Sequence, residues 1–303
     1  MSPKKVKWSP YRDSPFPVRV QAPAKINLCL FLGPRHEDGL HELCSLFEPL
    51  ALADGIEVSE AERDEIHCPG VEGENLAARA LAALREGGWG APPLRIEIEK
   101  RIPVAAGLGG GSADAAAVLR LAVGDFLPDS GKKSPTPDLA ALAGRLGADV
   151  PSQLAPALAL VRGAGERIER LPDPEPHAVV LLPGGGGLST AEVFAEADRL
   201  GLGRSDAELD RLATDLREAA GGGASPLAYT ELLANDLEPA ARSLRPQIGE
   251  ALDALRAAGA PLAFMSGSGP TVVGVFRSLA RSKSAAAEIG REDTIVCAAG
   301  RFR

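Results

Sequence analysis

The stretch that most restricts what this chain can become is Pro103-Val-Ala-Ala-Gly107-Leu-Gly109-Gly110-Gly111-Ser112-Ala113, which runs straight into Asp114-Ala115-Ala116-Ala117. Glycines at 107, 109, 110 and 111 strip side chains from a turn and open it to positive φ. Successive N–H groups can then converge on an anion, and the alanine-rich helix that follows adds the positive end of its dipole. The segment predicts a phosphate loop over residues 103–113, with Ser112 placed to cap the helix or to give its hydroxyl to a phosphate or a metal ion. A Walker loop would carry a lysine before the serine, and none stands there. A dinucleotide fingerprint would need Gly or Ala where Ser112 stands, which argues against a nicotinamide-dependent oxidoreductase. The upstream run Leu94-Arg-Ile96-Glu-Ile98-Glu alternates strictly, as in a sheet that is wet on one face.

The chain is 303 residues long with a net charge of −8, from 33 basic and 41 acidic residues, which argues against a nucleic-acid-binding face. Cys29, Cys44, Cys68 and Cys297 show neither disulfide nor zinc spacing, the four histidines form no metal grouping, and no apolar run reaches membrane length. These features predict a cytoplasmic protein with reduced thiols and no membrane partner; a monomer or homodimer is expected, with no sequence feature that decides between them. Aromatic residues are 4 % of the chain, so its core is built from aliphatic side chains.

Val18-Arg-Val20-Gln-Ala22 alternates, and the alternation resumes after Pro23. It predicts Ile26, Leu28, Leu30 and Leu32 on one face, with Lys25, Asn27 and Cys29 on the other. Asp38-Gly39 marks a turn, and residues 46–52 read as a strand. Helices are expected over 75–86, around Leu139, Leu142 and Leu146, and over 190–199, 206–219 and 243–258. Pro151 predicts an extended backbone before it, which would set Asp149 on a short stiff connection. Residues 264–265, 271–276 and 294–297 read as strands, and Ser266-Gly267-Ser268-Gly269-Pro270-Thr271 is a second turn able to bind an anion. Leu171-Pro-Asp-Pro-Glu-Pro176 is the best linker. It divides a loose leader (1–17) and a first domain (18–174) from a second domain (175–303).

Pro23-Ala-Lys25-Ile-Asn27-Leu, the 103–117 loop and Ser266–Thr271, in this order, resemble the three signature motifs of the GHMP kinase superfamily. Asp38-Gly-Leu-His41-Glu42 and Gly147-Ala-Asp149-Val-Pro151 narrow the resemblance to the branch acting on diphosphocytidyl-methylerythritol in isoprenoid-precursor synthesis. The resemblance implies an α/β (α+β) chain with an N-terminal ribosomal-protein-S5-like domain and a C-terminal ferredoxin-like domain, the site lying between them. It implies ATP and Mg²⁺, with the triphosphate on Pro103, Val104, Ala105, Ala106, Gly107, Leu108, Gly109, Gly110, Gly111, Ser112 and Ala113. Lys25 and Asp149 match the catalytic pair. Asn27, His41, Thr190 and Phe194 match substrate-side positions, with His41 at the base edge and Phe194 free to stack on it. Ser266, Gly267, Ser268 and Gly269 form the third motif. The chain departs from the family at Leu40, where a tyrosine is usual, and at Ser152-Gln153, where aromatic residues are usual. Two readings compete with this one: a kinase of the same superfamily acting on mevalonate, homoserine or a sugar, and a relative that binds nucleotide without turnover.

Overall fold

The computed structural model describes residues 16–37, 39–123 and 137–300, so Asp38 and nearly all of the expected leader lie outside the described residues. The alternating N-terminal segment forms one long strand, β1 (Val18–Arg35), paired antiparallel with β2 (His41–Glu60). Their register slips between Pro23 and Lys25 and again between Asn27 and Cys29. Leu28 is the extra residue of the second slip, and a one-residue slip exchanges the faces of a strand. Ile26 and Leu28 therefore join Cys29 and Phe31 in a central core, whereas Leu30 and Leu32 enter a different core. The expectation of one shared face for Ile26 to Leu32 is corrected. Lys25 and Asn27 still point the same way, but Cys29 turns away from them.

From β2 the chain passes through β3 (Glu65–His67) and α1 (Leu76–Glu86) to β4 (Leu94–Glu99), which is antiparallel to β2 and parallel to β3. Asn75 caps α1 by accepting a hydrogen bond from the Ala77 N–H. The alternation of β4 is borne out, its apolar residues buried and its charged ones exposed. Next come α2 (Gly110–Arg120), α3 (Leu139–Leu146), α4 (Val150–Gln153) and the hairpin β5 (Ala159–Gly163) and β6 (Arg167–Arg170). Buried Ala113, Ala115, Ala116 and Ala117 let α2 lie close against α1 and the sheet. Val150 is not extended, contrary to the expectation from Pro151. It opens α4, and Pro151 sits in the first turn, where its missing N–H leaves no bond unmade.

The second half contains β7 (His177–Leu182), α5 (Thr190–Leu200), α6 (Asp206–Ala220), α7 (Glu238–Leu244) and α8 (Gln247–Ala257). They are followed by β8 (Leu262–Met265), β9 (Val272–Phe276), α9 (Leu279–Ile289) and β10 (Ile295–Ala299). The single helix expected over 243–258 is interrupted before Pro246, and α8 begins only after it. The hairpin β5–β6 and helices α7 and α9 are additions to the elements expected from the sequence. Strands β10, β7, β9 and β8 form an antiparallel sheet, and a bridge from Ala299 to Leu50 joins it to β2. The central core fills the space between the two sheets, and α5, α7 and α8 cover the other side of the second sheet. No described helix is long and apolar enough to cross a membrane.

Candidate active site

Of the loop expected over residues 103–113, residues 103–109 are loop and Gly110 already opens α2; within the loop Ala105, Gly107 and Gly109 take φ of 56°, 74° and 70°. This alternation of handedness folds backbone N–H groups into a concave surface. Its carbonyls are engaged elsewhere. The Thr271 hydroxyl donates to Ala106 O (2.6 Å), and the Lys25 N–H donates to Leu108 O (2.9 Å). In a trans peptide the N–H opposes the C=O, so the amides of Gly107 and Gly109 face away from these anchors. Gly109, with no side chain, occupies the N-cap of α2. The expected capping role of Ser112 is therefore corrected: it lies inside the first turn. A cavity of about 300 Å³ is lined by residues 103–112 together with Asn75, Lys100 and Asp114.

On the other side of the loop lies a cavity of about 310 Å³ lined by Gly107, Gly109 and Ser112, with Lys25, Asn27 and Asp149 among its walls. The Lys25 Nζ stands 3.2 Å from Asp149 Oδ2. Lys25 is buried and not solvated as at a strand end, whereas the Asp149 side chain keeps 32 % of its exposure. Asp149 occupies the N-cap of α4, yet its carboxylate makes no capping hydrogen bond and remains available to the cavity. The ammonium also donates to Asn27 Oδ1 (2.7 Å) and lies 4.3 Å from the Phe47 ring centroid. Asn27 Nδ2 donates to Ser45 Oγ (2.9 Å), whose own O–H is committed to Cys29 O. Ser45 can therefore only accept from Asn27, which fixes the amide with its oxygen toward Lys25.

The Ser266–Thr271 turn joins β8 to β9 and packs backbone to backbone on the phosphate loop. A Cβ at Gly107 would lie 2.6 Å from Gly269 O, and one at Gly267 would lie 3.1 Å from Asn27 Oδ1. The Ser266 hydroxyl accepts from the Asn27 N–H (3.1 Å). Ser268 Oγ lies 2.8 Å from Thr190 Oγ1 at the start of α5. Thr190 and Phe194 line the second cavity with Gly267 and Ser268. His41 does not line it. That ring packs 5.6 Å from Phe194, with Nδ1 3.0 Å from Gly33 O and Nε2 3.1 Å from Asp198 Oδ1. Leu40 is exposed, the Ser152 hydroxyl donates to Asp149 O, and Gln153 is buried.

Several site residues escape a reading of the sequence. Phe47 and Ser45 are on β2, where a strand pattern gives no sign of function. Asn235 braces the third motif, its Nδ2 donating to Met265 O (2.7 Å) and Gly267 O (2.8 Å). Lys100 donates to Asp54 and to Asp114 Oδ2 (2.7 Å) beneath the phosphate loop. Burial pulls the Lys100 pKa down, but its bonds to Asp114 and Asp54 outweigh that and leave it raised. Burial pushes Asp114 up to about 6 against the pull of Lys100. Charged residues beside a glycine loop are the available signal for this cluster.

Two family models match the chain: "GHMP kinases N terminal domain" over residues 75–157 and "GHMP kinases C terminal" over residues 207–293. A 4-diphosphocytidyl-2-C-methyl-D-erythritol kinase of Mycolicibacterium gilvum (strain PYR-GCK) is 41 % identical over 288 residues, covering 91 % of this chain and 85 % of that protein. Its counterpart in Thermobifida fusca (strain YX) is 40 % identical over 298 residues, covering 93 % of this chain and 94 % of that protein. Among solved structures, a 4-(cytidine 5'-diphospho)-2C-methyl-D-erythritol kinase superposes with a TM-score of 0.76 at 36 % identity, covering 94 % of this chain and all of that one. A homoserine kinase from Cytophaga hutchinsonii, at 16 % identity and a TM-score of 0.67, shares the fold over 97 % of this chain and 98 % of its own.

Proposed function

This chain belongs to the GHMP kinases, and from that premise we propose that it transfers the γ-phosphoryl group of ATP to the 2-hydroxyl of 4-diphosphocytidyl-2-C-methyl-D-erythritol. The observation that carries the chemistry is the 3.2 Å Lys25–Asp149 pair in a cavity that shares its wall with the phosphate loop. Phosphoryl transfer passes through a loose transition state, so positioning and charge stabilisation are most of what a protein supplies. Backbone amides of the loop and the N-terminus of α2 hold the phosphates on one side, while the acceptor hydroxyl enters from the Asp149 side.

Asp149 orients that hydroxyl and takes its proton. A carboxylate is a far weaker base than an alkoxide and cannot ionise an alcohol beforehand, so the proton moves late, as the bond to phosphorus forms. Lys25, held by Asn27, directs its positive charge to the same point and stabilises charge gathering on the transferred group. Phe194 offers a ring to the cytosine, and His41 supports that ring from behind. Thr190 and Ser268 close the wall between them.

Among the described residues no cluster of three or more carboxylate, imidazole or thiol groups could hold a metal. Mg²⁺ needs no such cage, because it keeps several waters and binds chiefly to phosphates. Ser112 lines both cavities, so its hydroxyl fits an ion held mainly by the nucleotide. When bound, the ion would neutralise phosphate charge. We place the working enzyme in the cytoplasm, supported by its four free cysteines. Residues 18–174 and 175–303 serve as its two domains.

A coupled ADP-release assay across candidate alcohols tests the reading. Turnover is expected on the cytidyl acceptor, and Asp149→Asn should lose about a thousandfold in kcat while retaining nucleotide binding. Turnover on mevalonate or homoserine alone would replace the proposed substrate. ATP binding without turnover on any alcohol would remove the proposed activity.

A further inference from the structure

Between β7 and α5 the chain runs through four consecutive glycines, Gly184 to Gly187. Such a segment loses more conformational entropy on ordering than any other, and it has no side chains with which to anchor itself. Its carbonyls supply the anchor. Arg245, between α7 and α8, donates from Nη1 to Gly184 O (3.1 Å), Gly185 O (3.1 Å) and Gly186 O (2.6 Å), and from Nη2 to Gly187 O (3.2 Å). Arg291 donates to the preceding carbonyl, Pro183 O, at 2.9 Å. Arg291 is also paired with Asp293, whereas no described carboxylate lies within ion-pair distance of Arg245, whose partners among the described residues are backbone oxygens. A guanidinium fork can address several carbonyls at once; a lysine ammonium cannot hold the same spread.

The segment being held is wedged between two site loops. A Cβ at Gly184 would lie 2.4 Å from the Pro270 Cβ, next to the third motif, and one at Gly187 would lie 3.6 Å from the Ala105 Cβ in the phosphate loop. Three residues after Gly187, α5 begins with Thr190, which touches Ser268, and one turn later it presents Phe194 to the acceptor cavity. Arg245 touches none of the reacting groups. The geometry points to Arg245 as a positioning residue: by gathering the glycine carbonyls it fixes where α5 starts, and so fixes the acceptor wall against the phosphate loop. This role rests on the acceptor assignment proposed above only for its kinetic consequence.

The test compares the full-length parent with Arg245→Ala and Arg245→Lys. Arg245→Ala should raise the acceptor KM by about 10- to 100-fold while the ATP KM stays within about threefold, because the phosphate loop keeps its own anchors on Thr271 and Lys25. Arg245→Lys should recover only part of the loss, and millimolar guanidinium should lower the acceptor KM of the alanine variant while leaving that of the parent unchanged. Amide hydrogen exchange, which needs no substrate, should speed up over residues 183–194 of the variant and stay at the parent's rate over 105–112. If the alanine variant fails to fold, the same readouts on Arg245→Lys decide, with intermediate shifts expected. Parent-like exchange over 183–194 would overturn the role, as would ATP and acceptor KM values rising together. A parent protein inactive on the cytidyl acceptor would strike the substrate assignment, leaving hydrogen exchange to decide the role of Arg245.

Discussion

Lys25 and Lys100 stand on either side of one glycine loop. A Cβ at Gly109 would lie 3.0 Å from the Cγ of Lys25, and one at Gly110 would lie 3.3 Å from the Nζ of Lys100. Their charge balance differs. Lys25 meets one partly exposed carboxylate, an amide oxygen and an aromatic face, so its charge is matched once and its cavity is open. Lys100 meets two carboxylates, both buried, and one of them, Asp54, also accepts from the N–H groups of Arg101 (2.6 Å) and Ile102 (2.8 Å). That second cluster carries an excess negative charge away from water and pins the strand end that leads into the loop. On the proposed reading, the same pairing chemistry serves turnover on one side and architecture on the other. The number of carboxylates per ammonium and their access to solvent decide which.

Replacing each lysine should separate the two roles. Lys100→Met strands two buried carboxylates, for a loss of about 3–5 kcal/mol. Thermal melting should show it as a Tm drop of about 10 °C. A fall of less than about 2 °C would erase the contrast. Lys25→Met leaves behind an Asp149 that water can reach, so its Tm should fall by less than half as much. Its kcat should fall about a thousandfold in steady-state assays. Comparable melting losses for the two variants would show that both pairs are architectural.

The smallest effect concerns pH. The folded Asp114 titrates near 6, above the ordinary carboxylate value of about 3.9 that applies once the chain unfolds. Between those values the folded chain holds a proton that the unfolded chain has released, so this group's contribution to stability falls as pH rises to about 6 and stays low above it. Asp114→Asn lacks that penalty. Its urea-derived stability relative to the parent should climb by up to about 2 kcal/mol from pH 4 to pH 7 and then level off. A difference independent of pH would mean that Asp114 is an ordinary surface-like acid.

The parts of the site carried by local pattern are legible in the sequence. The glycine loop, the Lys25–Asn27 spacing and the Ser266–Thr271 turn each have a backbone requirement that a few residues satisfy by themselves; the structure brings them together with Asp149, whose segment is helical where Pro151 predicts an extended backbone. The break before α8 is equally local in cause, the missing N–H of Pro246, yet the helical spacing over 243–258 masks it and a single helix is expected there. What stays illegible depends on partners distant in the chain. The Leu28 bulge is set by how β1 registers on β2, so no alternation count within β1 reveals that Leu30 and Leu32 change cores. The placement of His41 behind Phe194 joins β2 to α5. Asn235 and Arg245 look like ordinary polar residues until their carbonyl partners, some 30 and 60 positions away, are in view.

Gly107 rests against the carbonyl of Gly269, and Gly267 rests against the side-chain amide oxygen of Asn27. A methyl group at position 107 would collide with main chain, which cannot swing aside as a side chain can, so that contact accepts glycine alone. Phe47 and Phe194, by contrast, meet the neighbouring cavity through side chains, which can be exchanged without moving the backbone. On the proposed reading, side-chain substitution can therefore reshape the acceptor cavity, whereas the glycine loop leaves no such freedom.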